Sequence, residues 1–312
     1  MYLYLKYILF YFVSFFTKNL ENDSNWKRSF NNFFYYKKCR KIFSKNLSFQ
    51  KKDIKDIKDD FSDVLGSKGY IWLRTDLSEK TAKEIFYKIK SNIYKYFDTK
   101  GHVIDKNIFK SFPELQNFIN YELDFMFKKI LKCNYKIYGI DMYLSKFKEK
   151  KAEGSEIPHV DSEPAPVFKC QYVISETNED NAMNIVKWND SLPILREVYL
   201  QVNKLIKVNT FNSRQELRKF KVNLIKDLLK QKKINIHKPA NQKNGLLFFF
   251  NNNSIHWGGD LKQQNNERIV ITFRVHCDHK DNLNDLFTNY TYLVNSDNKL
   301  MFETPKNFRF FN

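Results

Sequence analysis

Two histidines and one aspartate have the residue types and the order of a metal-binding set. His159 and Asp161 stand two residues apart in the segment PHVDS. On an extended segment these side chains point to the same side, so both can bind one ion. His256 follows an apolar run and an Asn-rich turn, and Gly258 beside it leaves room for a small ligand. Each element is a weak signal alone, but together the three predict a 2-His-1-carboxylate centre.

The ligand types favour iron(II) over zinc. A 2-His-1-carboxylate triad leaves open coordination positions for small ligands, which is typical of non-haem iron(II) sites. A closed zinc site would require a fourth protein ligand, usually sulfur at a short spacing. The cysteines are scattered without a CxxC pair, which indicates reduced thiols rather than zinc ligands or disulfides: Cys39, Cys133, Cys170 and Cys277.

Two arginines on a later apolar strand are candidates for anion binding. Arg268 and Arg274 stand six residues apart in RIVITFRVH, so they face the same side of a strand. Burying an arginine among Ile, Val and Phe is costly unless it meets an anion, and a guanidinium binds carboxylates in bidentate geometry. We predict that Arg268 binds the distal carboxylate of an acidic ligand. Arg274 remains an alternative, as does a solvent-facing position for either arginine.

In chain order, the secondary-structure elements that position these residues are mainly helices in the first half and strands in the second half. Helices are predicted from Ser78 to about residue 97 and over 113–132, and strands over 69–77, 135–147, 167–175, 245–253 and 268–276. A helical insert near 190–238 divides the later strands. We divide the chain into an apolar helix with a basic flank (1–45), a linker (46–62), a main domain (63–290) and a C-terminal tail (291–312).

The order of these features resembles the iron(II)- and 2-oxoglutarate-dependent dioxygenases. The matching features are HVD at 159–161, a glycine-initiated apolar strand, HWGG at 256–259 and an arginine on the next strand. The sequence is most similar to the phytanoyl-CoA dioxygenase-like branch, whose opening resembles DFSDVLGSKGYIWLRTDLSEKTAKEIFYKI, and the resemblance covers roughly residues 60–280. The proline-glycine-serine-histidine turn common in that branch is absent, and NAMNIVKWNDS stands in its neighbourhood.

This resemblance implies a fold and a cofactor set. The expected fold is α+β, with a double-stranded β-helix (jelly-roll) core, supporting helices and the helical insert. The metal triad would hold Fe(II), Arg268 would bind the cosubstrate 2-oxoglutarate, and Tyr143 would supply a polar partner to it or else pack in the core. Asp161 stands where related halogenases have a small residue. Hydroxylation or desaturation of a small molecule is therefore expected.

The net charge of +18 would attract anionic partners, while a compositional bias toward lysine and a solvated surface explain much of this charge. A nucleic-acid-binding module is not recognisable, so we expect an anionic or lipid- or glycan-linked substrate and no nucleic acid. The insert has eleven basic residues between Lys204 and Lys238 against Glu216 and Asp227, and would form a lid at the pocket mouth or a solvated surface. Two alternative functions are a catalytically silent jelly-roll binding protein for an anionic lipid or glycan, and a nucleic-acid demethylase.

The N-terminal segment predicts contact with a membrane surface. Residues 2–17, YLYLKYILFYFVSFFT, are almost wholly apolar and are followed by basic residues such as Lys18, Lys27 and Arg28. Sixteen helical residues are shorter than the roughly 20 that a bilayer core requires. An interfacial helix at the cytoplasmic face of a membrane is favoured, and a helix packed on the main domain is the alternative.

Deleting residues 1–18 tests the membrane prediction. The truncated chain is expected to stay folded but to lose binding to anionic vesicles, because the apolar helix that inserts between lipids is gone. Vesicle co-sedimentation measures binding, and circular dichroism measures folding. If the truncated chain unfolds, the segment belongs to the core and the membrane interpretation is wrong.

Overall fold

The computed structural model describes residues 69–105, 107–130, 134–146, 156–161, 168–207, 213–239, 244–250, 254–259, 261, 267–278, 293 and 309–311. The predicted membrane segment and linker lie outside these residues. Within the described part of the chain, no helix has the length and apolar character needed to cross a bilayer.

The described chain begins with a strand and a series of helices that pack on one side of the main sheet. These elements are β1 (Tyr70–Leu73), α1 (Asp76–Ser91), α2 (Ile93–Tyr96), α3 (Ile108–Ser111) and α4 (Glu114–Phe118). Thr75 caps α1, since its hydroxyl accepts from the backbone N–H of Ser78 while Ser78 Oγ accepts from Thr75 N–H. This capping box starts α1 two residues before the predicted Ser78.

The predicted helix over 113–132 is only partly α-helical. After α4 the chain continues as two π-helical turns, Ile119–Leu123 and Phe125–Ile130. Buried side chains recur here every four residues: Leu115, Ile119, Leu123 and Phe127. A repeat of four residues keeps these side chains on one face when each helical turn contains more residues than the 3.6 of an α-helix. Spacing alone did not distinguish this winding from an ordinary amphipathic helix.

The remaining strands form two sheets, and the predicted long strands are all present. They are β2 (Asn134–Lys146), β3 (Phe168–Val173), β4 (Asn184–Val186), β5 (Ile236–His237), β6 (Gly245–Phe250), β7 (His256–Trp257), β8 (Glu267–Asp278) and β9 (Arg309–Phe311). The major sheet has the order β1-β6-β3-β8-β2-β9, and the minor sheet has the order β5-β4-β7. All pairs are antiparallel except that of β2 with β9.

The major sheet separates an apolar core from a polar inner face. Alternate residues of β8, from Ile269 to Val275, are buried against the helices together with Phe118 and Tyr172, whose rings stack at 4.2 Å. The intervening residues of β8 are Arg268, Val270, Thr272 and Arg274, which face the other way because strand side chains alternate. On that inner face, Leu247 and Phe249 of β6 pack on Ile185 of β4 and on Met183, which directly precedes β4.

The helical insert supports the minor sheet. Its two helices, α5 (Trp188–Lys207) and α6 (Arg214–Gln231), share an apolar cluster with Val160, Ile255 and Trp257. These three residues are direct neighbours of the predicted metal ligands. Among the described residues, none from α5 or α6 lines the cavity at those ligands. The described helices of the insert therefore pack against the neighbours of the ligands, and the lid stays a prediction.

The α+β class is confirmed, with a jelly-roll-type pair of sheets supported by helices. Within the described residues the two sheets do not close into a barrel. The C-terminal residues contribute β9 to the major sheet, and Leu293 N–H donates to Ile137 O at 2.9 Å. The chain after β8 thus returns to the edge of β2.

Replacing Phe118 tests the packing between helix and sheet. Phe118→Ala is expected to lower the free energy of unfolding by about 3–5 kcal/mol, because it leaves a cavity beside Tyr172. Chemical denaturation measures this change. The control is Tyr121→Ala in the adjacent π-helical turn, where the side chain is 66% exposed and a change within about 0.5 kcal/mol is expected. Equal effects of both substitutions would contradict the packing.

Candidate metal centre

The three predicted metal ligands converge at one place. The ligand atoms of His159, Asp161 and His256 lie within 4.8 Å of one another. The Asp161 carboxylate stands between the imidazoles, with Oδ1 3.6 Å from His159 Nε2 and Oδ2 3.6 Å from His256 Nε2. Among the described residues this is the one His/Cys/Asp/Glu cluster with such geometry. One ion can therefore contact all three side chains.

Backbone pairing brings the two histidines together. His159 N–H donates to His256 O at 3.1 Å, and His256 N–H donates to His159 O at 2.9 Å. Each ring then contacts a nearby carbonyl through Nδ1: His159 contacts Ile157 O at 2.7 Å, and His256 contacts Ser254 O at 2.9 Å. A carbonyl accepts only, so Nδ1 carries the proton and Nε2 keeps its lone pair for a metal.

The protonation state of His256 also suits a metal ligand. Burial, with a smaller contribution from the neighbouring His159, lowers the pKa of His256 to about 4. The imidazole is consequently neutral at pH 7. Its Nε2 is buried and has no hydrogen-bond partner among the described residues. A buried lone pair without a donor is costly, and a cation at the triad would satisfy it.

Asp161 is held as a carboxylate by its neighbours. Burial acts to raise the pKa of Asp161, but Lys169, His159 and His256 together hold it well below its ordinary value. Lys169 of β3 donates to Asp161 Oδ2 at 2.8 Å. Lys169 was not among the residues that the sequence predicted for the site. The available signal was the alternation in FKCQYV, where Lys169 and Gln171 are the polar residues of a strand that is buried throughout.

Arg268 lies in the wall of the cavity at the triad. It is 3% exposed, and its Nη1 donates to Asn181 O at 2.7 Å. Its Nε is buried without a hydrogen-bond partner among the described residues, and burial lowers the pKa of the guanidinium. Gly258 makes this position accessible, because a Cβ there would lie 2.5 Å from Arg268 Nη2. The buried cation thus has unused donor capacity toward the cavity.

Tyr143 and Arg274, the two other residues that the sequence predicted for cosubstrate binding, differ in position. Tyr143 of β2 is paired with Val270 and lines the cavity together with His159, His256 and Arg268. Arg274 is not among the described lining residues of that cavity. It lies beside Lys169 in the sheet register. There its charge opposes the rise in pKa that burial causes at Asp141. Arg268 therefore lines the cavity at the triad, whereas Arg274 does not do so among the described residues.

Solved structures are similar at low identity to about two thirds to three quarters of this chain. No family model and no curated protein sequence matches it. The non-heme alpha ketoglutarate dependent epimerase SnoN from nogalamycin biosynthesis is 11% identical, with a TM-score of 0.42, covering 67% of this chain and 78% of SnoN. EctD from S. alaskensis, solved with 2-oxoglutarate and 5-hydroxyectoine, is 12% identical, with a TM-score of 0.45 and coverages of 74% and 79%.

HygX from Streptomyces hygroscopicus, solved with nickel and 2-oxoglutarate, is 9% identical. Its TM-score is 0.43, and the match covers 73% of this chain and 87% of HygX. These identities and TM-scores are low. The functional assignment of this chain therefore rests on the contacts within its own site.

Removing the carboxylate charge of Asp161 tests the metal centre. Asp161→Asn is expected to weaken Co(II) binding by more than roughly 100-fold, because changes to residues that only support metal ligands already cost about 10- to 100-fold. Isothermal titration with Co(II) measures the affinity. The control is Asp227→Asn on the exposed side of α6, which is expected to bind Co(II) as the unaltered chain does. Equal affinities in both variants would remove Asp161 from the site.

Proposed function

We propose that this protein is an iron(II)- and 2-oxoglutarate-dependent oxygenase. The observation that carries the proposal is the unpartnered, buried Nε2 of neutral His256, which faces the Asp161 carboxylate and the His159 ring. This arrangement supplies two imidazole nitrogens and one carboxylate to an ion. The absence of a cysteine from the group favours iron(II) over structural zinc.

The residues of the cavity divide between metal and cosubstrate. His159, Asp161 and His256 would hold iron(II) and leave three positions, of which 2-oxoglutarate needs two and dioxygen one. When bound, the iron supplies the redox chemistry that couples oxidative decarboxylation of 2-oxoglutarate to oxidation of a substrate. Arg268 would bind the distal carboxylate in a site where burial strengthens the interaction. Tyr143 borders the same cavity and would donate its hydroxyl to the cosubstrate.

The substrate that we propose is a small anionic or lipid- or glycan-linked molecule, which would be hydroxylated or desaturated. The charge of +18 supports an anionic substrate, since it would raise the local concentration of anions. The carboxylate at Asp161 supports oxygenation rather than halogenation, because it occupies the position that a halide would need. Membership of the phytanoyl-CoA dioxygenase-like branch and contact with the inner face of a membrane through residues 2–17 are parts of this proposal.

An anaerobic titration of the iron(II)-loaded protein with 2-oxoglutarate tests the proposal. A visible charge-transfer band is expected, because chelation places the keto oxygen on the metal. In air, iron-dependent release of succinate should follow. A protein that binds iron and 2-oxoglutarate but releases no succinate, with or without candidate substrates, would instead be a binding protein. A protein without the band would not use this cosubstrate.

Replacing Arg268 tests the cosubstrate clamp. Arg268→Ala is expected to raise the Kd for 2-oxoglutarate by about 10- to 100-fold, because a hydrogen bond to a charged group contributes roughly 1.5–3 kcal/mol. Gly258→Ala should weaken binding in the same direction, because the added methyl displaces the guanidinium. Titration of the charge-transfer band measures both variants.

Two other arginines provide the comparison for the Arg268 variants. Arg218→Ala, on the exposed side of α6, should bind 2-oxoglutarate as the unaltered chain does. Arg274→Ala decides between the two sequence candidates. A larger loss of affinity in Arg274→Ala than in Arg268→Ala would transfer the clamp to Arg274.

A further inference from the structure

Lys169 is a buried cation inside the candidate metal centre. It is 9% exposed and lies on the inner face of β3, where it lines the same cavity as His159, His256 and Arg268. Its ammonium lies 2.8 Å from Asp161 Oδ2 and 5.9 Å from the centre of the Phe249 ring. A lysine in this position needs an explanation, because a cation beside a metal-binding triad acts against metal binding.

The ammonium and any triad-bound ion must share one carboxylate. Asp161 Oδ2 accepts from Lys169 and is also the oxygen 3.6 Å from the unpartnered His256 Nε2. A divalent cation at the triad therefore draws on the negative charge that stabilises Lys169. Two cations in a buried site with one carboxylate between them repel each other more strongly than they would in water. Metal binding alone then leaves the Lys169 charge poorly compensated.

A second anion in the cavity would remove this conflict. The cavity has two buried cations, Lys169 and Arg268, and both line its wall. A dicarboxylate matches this pair, since each of its ends meets one cation. Arg268 has unused donor capacity for one end, as its Nε has no partner among the described residues. The other end would lie beside the metal, where Lys169 is.

We infer that Lys169 binds the metal-chelating carboxylate of 2-oxoglutarate and thereby makes metal retention depend on the cosubstrate. This inference rests on the proposed function. In the absence of 2-oxoglutarate, Lys169 occupies Asp161 and weakens metal binding. When the cosubstrate is present, its carboxylate accepts from Lys169, and metal and 2-oxoglutarate strengthen each other's binding. Such coupling is reciprocal, since each ligand changes the affinity of the other by the same factor. Lys169 is thus a positioning residue for the cosubstrate.

Titration of Lys169→Met with Co(II), with and without 2-oxoglutarate, tests the inference. Without 2-oxoglutarate the variant should bind Co(II) about tenfold tighter than the unaltered chain, because the competing cation is gone. Its affinity for 2-oxoglutarate should fall by roughly tenfold or more, as a charge-assisted hydrogen bond is lost. The factor by which 2-oxoglutarate tightens Co(II) binding should shrink accordingly. Isothermal titration measures all of these affinities without requiring turnover.

Two further variants separate this role from a general effect of charge or folding. Lys169→Gln keeps a shorter polar side chain without the charge and should shift both affinities in the same directions. Lys221→Met removes a partly buried lysine of α6, and both affinities should stay unchanged. Thermal melts establish that each variant is folded.

Opposite results would overturn the inference. If the Lys169 variants bind Co(II) more weakly, Lys169 orients Asp161 for the metal instead of competing with it. If their affinity for 2-oxoglutarate is unchanged, Lys169 does not contact the cosubstrate. Failure of the unaltered chain itself to bind 2-oxoglutarate would refute the proposed function, which is a separate outcome.

Discussion

The reciprocal backbone hydrogen bonds between His159 and His256 are the constraint on which the site depends. They join two segments that are far apart in the chain. Each bond fixes the backbone position from which one imidazole enters the cavity. The i, i+2 relation between His159 and Asp161 then places the carboxylate between the two rings. Because the Nδ1 atoms contact local carbonyls, the ring orientations follow from the backbone as well. A slip of one residue in this pairing would turn a ligand away from the other two.

The packing around these segments supports that pairing from two sides. The helical insert packs on Val160 and Ile255, which are sequence neighbours of the ligands, so its apolar faces stabilise the segments from behind. On the opposite side, the Phe249 ring contacts the His256 ring edge-on at 4.7 Å. The insert has a high content of lysine on its exposed surface, yet its structural contribution comes from apolar residues. The basic composition of the insert therefore reflects its solvated side and gives no information about its role in the fold.

The major sheet allows strongly different chemistry on its two faces. On the helix side, aromatic and aliphatic residues dominate the packing, as in the stack of Phe118 on Tyr172. On the inner side, the buried Lys169 and Arg268 line one cavity, and Lys169 donates to Asp161. Low exposure strengthens each of these interactions, and it also makes every uncompensated charge costly. The cavity is consequently suited to anionic ligands and a divalent cation bound together, since each offsets the charge of the other.

Local sequence spacing was sufficient to predict the three residues that meet at the candidate metal centre and the long strands. The order of His159, Asp161, His256 and Arg268 predicted one site. The alternation of apolar residues predicted the long strands, because this pattern depends only on local sequence spacing. The minor sheet became visible only in the folded chain, because its strands of two or three residues are too short for a periodic signal. Tertiary structure also decided that Lys169 meets Asp161, since an ion pair depends on a distance through space that sequence spacing does not encode.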